Sequence, residues 1–159
     1  MVRLYARSLK GERAKGPKPT KRGKNVSIIG AMSVKEILTS VNLIGRTDAM
    51  TFEAFIIRKL VPKLGKGACV VMDKCPIHLG EEVKKATAEK GAKLIYLSPY
   101  SPDFLPIENL WSKLKIILRS IQTTNYQELG KAIEFALGQV TSSNIFNWFT
   151  HCCYCTSSF

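Results

Sequence analysis

Apolar and β-branched residues crowd 25–34 (Asn-Val-Ser-Ile-Ile-Gly-Ala-Met-Ser-Val) and return at 37–44, with Lys35-Glu36 between them. This pattern predicts an antiparallel hairpin. Gly45-Arg46-Thr47-Asp48 then opens a helix, with Thr47 or Asp48 as its N-cap. Phe52, Phe55, Ile56 and Leu60 recur at helical spacing and give that helix one apolar face, and Pro62 and Gly65 end it. Residues 68–72 form a continuous apolar run of the length expected for a buried strand. Residues 80–90 are polar and helix-forming, with Val83 and Ala86 inward and Gly91 as the stop. A second short strand follows at 93–97. A helix between two strands implies parallel pairing with the helix crossing over.

Pro106 suits a first helical position, where a missing N–H goes unnoticed. Ile107, Trp111, Leu114 and Leu118 then make an apolar stripe. Two more helices are predicted. One covers 126–138, with Leu129, Ile133, Ala136 and Leu137 inward. The other covers 142–154 and contains Ile145, Phe146, Trp148 and Phe149. Trp111 and Trp148 are read as core residues. No repeat or low-complexity segment interrupts the series.

At 159 residues the chain is long enough for one domain with a real core. The formal charge of +12 favours a polyanionic partner. It is concentrated at the start. Residues 1–24 hold nine cations, Arg22 and Lys24 among them, against the single acid Glu12. Glycines and prolines interrupt this stretch, so 1–24 is expected to be a basic arm with a short strand beginning at Arg3-Leu4-Tyr5, able to follow a phosphate backbone. No apolar segment reaches the roughly 20 residues needed to cross a bilayer, and no signal-peptide core follows Met1. The chain is expected in the cytoplasm, associated with the nucleoid, with no membrane partner. Five cysteines, at 69, 75, 152, 153 and 155, are read as free thiols. His151-Cys152-Cys153-Tyr154-Cys155 invites a zinc reading, but adjacent cysteines without a second Cys-x-x-Cys knuckle are a poor zinc pattern.

Two carboxylates stand out in this basic chain. Asp73 ends the apolar run Val70-Val71-Met72, and Glu108 lies in the first turn of the Pro106 helix. Carboxylates at a strand's C-terminal end and at a helix N-terminus are placed to bind hard cations. At 3.6 residues per turn Glu108, Ser112, Lys115 and Arg119 share one helix face, which sets a carboxylate beside two cations. The plainer reading of that face is a solvated polar surface.

The segment closely resembles the DDE transposases of bacterial insertion sequences, in the mariner-like branch. The residues that carry the resemblance are Val71-Met72-Asp73, His78, Leu94-Ile95-Tyr96-Leu97, Tyr100-Ser101-Pro102-Asp103-Phe104-Leu105-Pro106-Ile107-Glu108 and Trp111-Ser112-Lys113-Leu114-Lys115. A weaker likeness runs from Arg3 to Phe149. The resemblance implies an α/β fold, a ribonuclease H-like mixed sheet flanked by helices over 25–159, and the order of elements fits it. That fold begins with a central strand carrying a first catalytic Asp. This chain is expected to lack that strand, since only Glu12 among acids precedes Asn25. The helix-turn-helix region that such proteins carry upstream is expected to be missing as well.

By the same resemblance Asp73 and Glu108 are the second and third catalytic carboxylates and ligands of Mg²⁺ or Mn²⁺. Lys115, Arg119, Lys74, His78, Arg22 and Lys24 are candidate DNA contacts. The implied function is DNA cleavage and strand transfer by a two-metal mechanism, on transposon ends and target DNA. The chain is expected to be the C-terminal part of such an enzyme, inactive alone, working as a homodimer or with an upstream-encoded partner chain. A non-catalytic DNA-binding remnant and a basic adaptor module are the alternatives. Two positions depart from the family pattern. Lys74 replaces an Asn beside the metal ligand, and Leu105 replaces an Asn before Pro-Ile-Glu.

Overall fold

The computed structural model describes residues 7–13, 23–98 and 101–154. The short strand expected at Arg3-Leu4-Tyr5, the basic residue Arg22, the motif residue Tyr100 and Cys155 lie outside them. The part of the basic arm that is described, 7–13 and 23–24, contains no strand.

The hairpin forms where the apolar pattern puts it. Strand β1 (Val26–Met32) pairs antiparallel with β2 (Ile37–Ile44), and the register slips between Ala31 and Met32. Side chains alternate across a strand, and β1 uses both faces. Ile29 and Ala31 join one apolar cluster, whereas Val26, Ile28 and Met32 join another. The hairpin is thus the middle layer of a three-layer arrangement.

The first cluster lies under helix α1 (Ala49–Phe55) and helix α2 (Glu81–Glu89). Asp48 caps α1, its side chain accepting from the Thr51 N–H at 2.8 Å. After Phe55 the helix widens into a π turn at Ile56–Leu60 and then tightens into a 3₁₀ turn at Val61–Lys63. Pro62 has no N–H to give to the helix, so the regular ladder ends there. Phe52, Phe55, Ile56 and Leu60 are all buried, as their helical spacing predicts. Strand β3 (Cys69–Met72) pairs parallel with β4 (Lys93–Tyr96), and α2 crosses over between them. Gly91 ends the crossover at φ +72°, a conformation open to glycine at little cost.

Two elements, β3 and α2, differ from the sequence pattern. Cys69 is exposed and Val70 and Val71 are only half-buried, so β3 is not the buried strand its composition predicts. The cause is that β3 has no strand on its second edge among the described residues. In α2 it is Thr87, not Ala86, that is buried with Val83. Its hydroxyl donates to the carbonyls of Val83 and Lys84 at 2.8 and 2.9 Å, which removes the cost of burying it.

The second cluster is helical. Helix α3 (Pro106–Ile121) begins at Pro106 as expected and packs on α4 (Tyr126–Gly138) and α5 (Ser142–His151). Its buried face runs through Leu110, Leu114 and Leu118, against Ala132, Ile133 and Ala136. The expected stripe is therefore rotated. Ile107 and Trp111 turn away from the bundle centre, toward β1 and a cavity beside it. The expected helix over 142–154 stops at His151, and Cys153 takes φ +63° just after it.

Candidate active site

Asp73 and Glu108 come to one cavity. Its volume is about 310 Å³, and both carboxylates line it together with His78, Leu105, Ile107 and Trp111. Asp73 arrives there because β3 ends one residue earlier, at Met72. Glu108 arrives because Pro106 starts α3, which places the acid in the first turn. Backbone N–H groups without helical partners gather at that end and favour negative charge. Leu105, at the N-cap, makes no side-chain cap. Among the described residues that line the cavity, Asp73 and Glu108 are the only acids.

His78 belongs to the same site. It sits in the 3₁₀ turn Pro76–His78, which follows Asp73 closely enough to fold back on it. Its Nδ1 contacts Asp73 Oδ1 directly and lies 3.4 Å from the Asp73 carbonyl oxygen. The imidazole lies against Phe52 of α1, ring centres 4.1 Å apart and planes 30° apart. From below, the Tyr96 hydroxyl donates to the His78 carbonyl at 2.9 Å. Burial pushes the Tyr96 phenol above its ordinary value, which keeps it a donor. The Cys75 N–H completes the Asp73 surroundings, 3.4 Å from Oδ1.

The basic candidates are spread out. Lys74 is exposed next to Asp73, and Lys115 and Arg119 are exposed on α3. At 1.5 Å per residue they lie about 10 and 16 Å along the helix from Glu108. Lys24 is not at the cavity. Its backbone N–H donates to the Tyr126 hydroxyl, on the α4 side. Arg22 lies outside the described residues. No group of three or more metal-ligating side chains occurs among the described residues, which include His151, Cys152 and Cys153. Cys69, Cys75, Cys152 and Cys153 are free thiols.

Sequence reasoning missed three supports. Phe52 was expected only in the core, and its stacking on His78 had no local signal. Tyr96 ends a strand inside the quoted motif, so its position was visible but its bond was not. Lys113 donates to the Gln139 carbonyl at 2.8 Å and to Asn144 Oδ1, tying α3 to the start of α5. It stands within Trp111-Ser112-Lys113-Leu114-Lys115, but nothing local marks it as structural.

A mixed α/β core with helices on both faces and two carboxylates at one cavity is the frame of a nuclease-type catalytic domain. The comparisons agree. The family described as DDE superfamily endonuclease matches residues 1–130, and the chain belongs to that family. Among solved structures, the catalytic domain of Mos1 mariner transposase matches with a TM-score of 0.70 at 16% identity, over 80% of this chain and 68% of that one. The Mos1 mariner paired-end complex with Mn gives 0.74 at 16% identity, over 94% of this chain and 47% of that one. The Mos1 catalytic domain with Raltegravir and Mg gives 0.67 at 14% identity, over 77% and 67%. The fold is therefore the ribonuclease H-like fold of a transposase catalytic domain. The chain spans about half the length of the transposase chain in the Mos1 complexes. No curated protein matches it. Among the described residues no helix is long and apolar enough to cross a membrane.

Proposed function

We propose that residues 25–159 are part of a transposase catalytic domain from a mariner-like bacterial insertion sequence, that 1–24 are a basic arm, and that Asp73 and Glu108 are its remaining catalytic carboxylates. The observation that carries this reading is that both line one cavity. Their donor chemistry fits Mg²⁺ or Mn²⁺, since hard cations take oxygen ligands and Mg²⁺ is commonly held by one or two carboxylates, water and phosphate. When bound, a pair of such ions activates the attacking oxygen and stabilises the leaving one.

The chain's own groups divide the remaining work. Asp73 and Glu108 hold the cation. His78 fixes the Asp73 carboxylate through Oδ1, and Phe52 fixes the His78 ring. Lys115, Arg119 and Lys74 contact DNA phosphates, which orient the strand without reading its sequence. Lys24 and Arg22 extend that contact along the arm. The DNA is a transposon end and its target, and a second copy or an upstream-encoded chain completes the assembly. On this reading the working protein is associated with the nucleoid, where its DNA lies.

Alone, this chain binds DNA and does not cut it, because two carboxylates stand where the resemblance implies three. Purified chain, Mn²⁺ and a supercoiled plasmid test this directly. The expected result is DNA retention without nicking, and Mn²⁺ binding by calorimetry that disappears in Asp73→Ala. Nicking that is lost in Glu108→Ala would show an active site complete without a third acid. DNA retention with no Mn²⁺ binding at all would leave a non-catalytic DNA-binding module.

A further inference from the structure

The outer edge of β2, away from β1, is open and lies beside a row of cations. In an antiparallel pair, residues that exchange both backbone bonds alternate with residues that turn theirs outward. The Gly45 N–H donates to the Asn25 carbonyl at 2.7 Å, so these two are a bonded pair. Counting back along the register, Leu43 and Val41 turn their backbone groups to β1, whereas Ile44, Asn42 and Ser40 turn theirs away. Among the described residues no strand and no loop backbone meets those outward groups. The helical run that follows returns along this edge, from Ala49 to Lys63, whose Nζ donates to the Leu38 carbonyl. Between strand and helix is a cavity of about 200 Å³, with room for one large apolar side chain. Val41 and Leu43 line it from β2, and Ala54, Phe55, Arg58 and Lys59 line it from the helical side, with no acid among the lining residues. Arg58, Lys59 and Lys63 are exposed, and none forms an ion pair with a described residue. Ile44, on the strand's other face, is 64% exposed.

We propose that the β2 edge receives an extended acidic segment of a partner protein, which adds as an antiparallel strand and seats one apolar side chain in the cavity. The outward N–H and C=O groups of Ser40, Asn42 and Ile44 are what an extended backbone satisfies. Guest residues opposite Leu43, Val41 and Thr39 share the helix side. The first is apolar and fills the cavity. The other two are acids, because Arg58, Lys59 and Lys63 follow one another along the helix toward Leu38. The residue opposite Ile44 is apolar as well. A second copy does not fit, since pairing two β2 edges would bring both sets of cations together. The segments outside the described residues do not fit either, since 1–6, 14–22, 99–100 and 155–159 contain no acid. DNA phosphates could meet the cations, but they only accept hydrogen bonds and leave the outward carbonyls and the apolar cavity unmatched. Asp73 and Glu108 do not line this cavity, so the docking does not depend on the carboxylate site.

The probe is the synthetic peptide Val-Leu-Thr-Glu-Thr-Glu, blocked at both ends and added to the whole chain. Followed by NMR, amide exchange at Ser40, Asn42 and Ile44 should slow about tenfold or more at saturating peptide. Val41 and Leu43, already bonded to β1, should change less. Methylating the backbone nitrogens of the peptide's first, third and fifth residues, which face β2, should abolish the effect. Methylating the second, fourth and sixth, which face away, should spare it. Arg58→Glu combined with Lys59→Glu should weaken binding about tenfold, and a peptide with Lys in place of each Glu should recover it on that variant. Asp73→Ala should bind the peptide as the parent chain does. Unchanged exchange at the three edge amides, two methylated peptides that act alike, or a charge-swapped peptide that does no better on the double variant overturns the proposal. So does a duplex oligonucleotide that slows these amides where the peptide does not, which would make the edge a DNA contact. So do edge amides already protected in the free chain, whether or not dilution releases them.

Discussion

His78 holds Asp73 by its carboxylate while its own ring rests on Phe52. One side chain thus links the end of β3 to helix α1. A carboxylate held by a partner keeps a fixed direction, and partners of metal ligands typically carry a tenfold to hundredfold share of affinity. His78→Ala should therefore weaken Mn²⁺ binding at least about tenfold while leaving the far-ultraviolet circular dichroism unchanged. Unchanged affinity would mean that the contact does not orient the acid. Phe52→Leu keeps the core volume close and removes the stack, so it should give a smaller loss in the same direction.

The centre of the helical layer is Leu110, with no exposed surface. Leu110→Ala should cost about 2–5 kcal/mol in denaturant unfolding, through lost burial and the space left behind. Ile116, on the same helix, is 64% exposed, and Ile116→Ala should stay within about 0.5 kcal/mol. Equal effects would mean that α3 is rotated from the orientation described.

Gly30 of β1 makes room for Trp111. A Cβ at Gly30 would stand 2.9 Å from the edge of the Trp111 ring. Gly30→Val should destabilise by about 1–3 kcal/mol through overpacking. It should also shift the fluorescence of Trp111 by moving the indole. The second change Trp111→Leu should return part of the loss, because the two substitutions share one contact.

Asp48 caps α1, and the bond from Thr51 holds its carboxyl below the ordinary 3.8. A lowered folded-state value means stability that is present above the unfolded value and is lost as pH falls through the folded one. Glu128 behaves alike, held below 4.5 by the bonds from Thr124. Melting temperature should therefore fall with pH below about the carboxylate range. Asp48→Asn keeps a good cap and removes one titrating group, so its melting curve should depend less on pH there. An unchanged slope would show that the Asp48 bond does not persist in solution.

Whatever depended on neighbours in sequence was legible before any coordinates. The hairpin, the Asp48 cap, the Gly91 stop and the Pro106 start each follow from local sterics and hydrogen bonding, and each stands where the pattern put it. Asp73 and Glu108 were legible as a pair because strand end and helix start are also local features. Tertiary structure decided the rest. The face of α3 that is buried depends on α4, which selects Leu110 over Trp111. The burial of β3 depends on whether a strand lies beside it, which its own composition does not record. The contact of Asp73 with His78 depends on a turn, and the stack on Phe52 depends on a helix brought from 26 residues away, between 52 and 78. Periodicity states that a residue has an apolar face, and only packing states what that face meets.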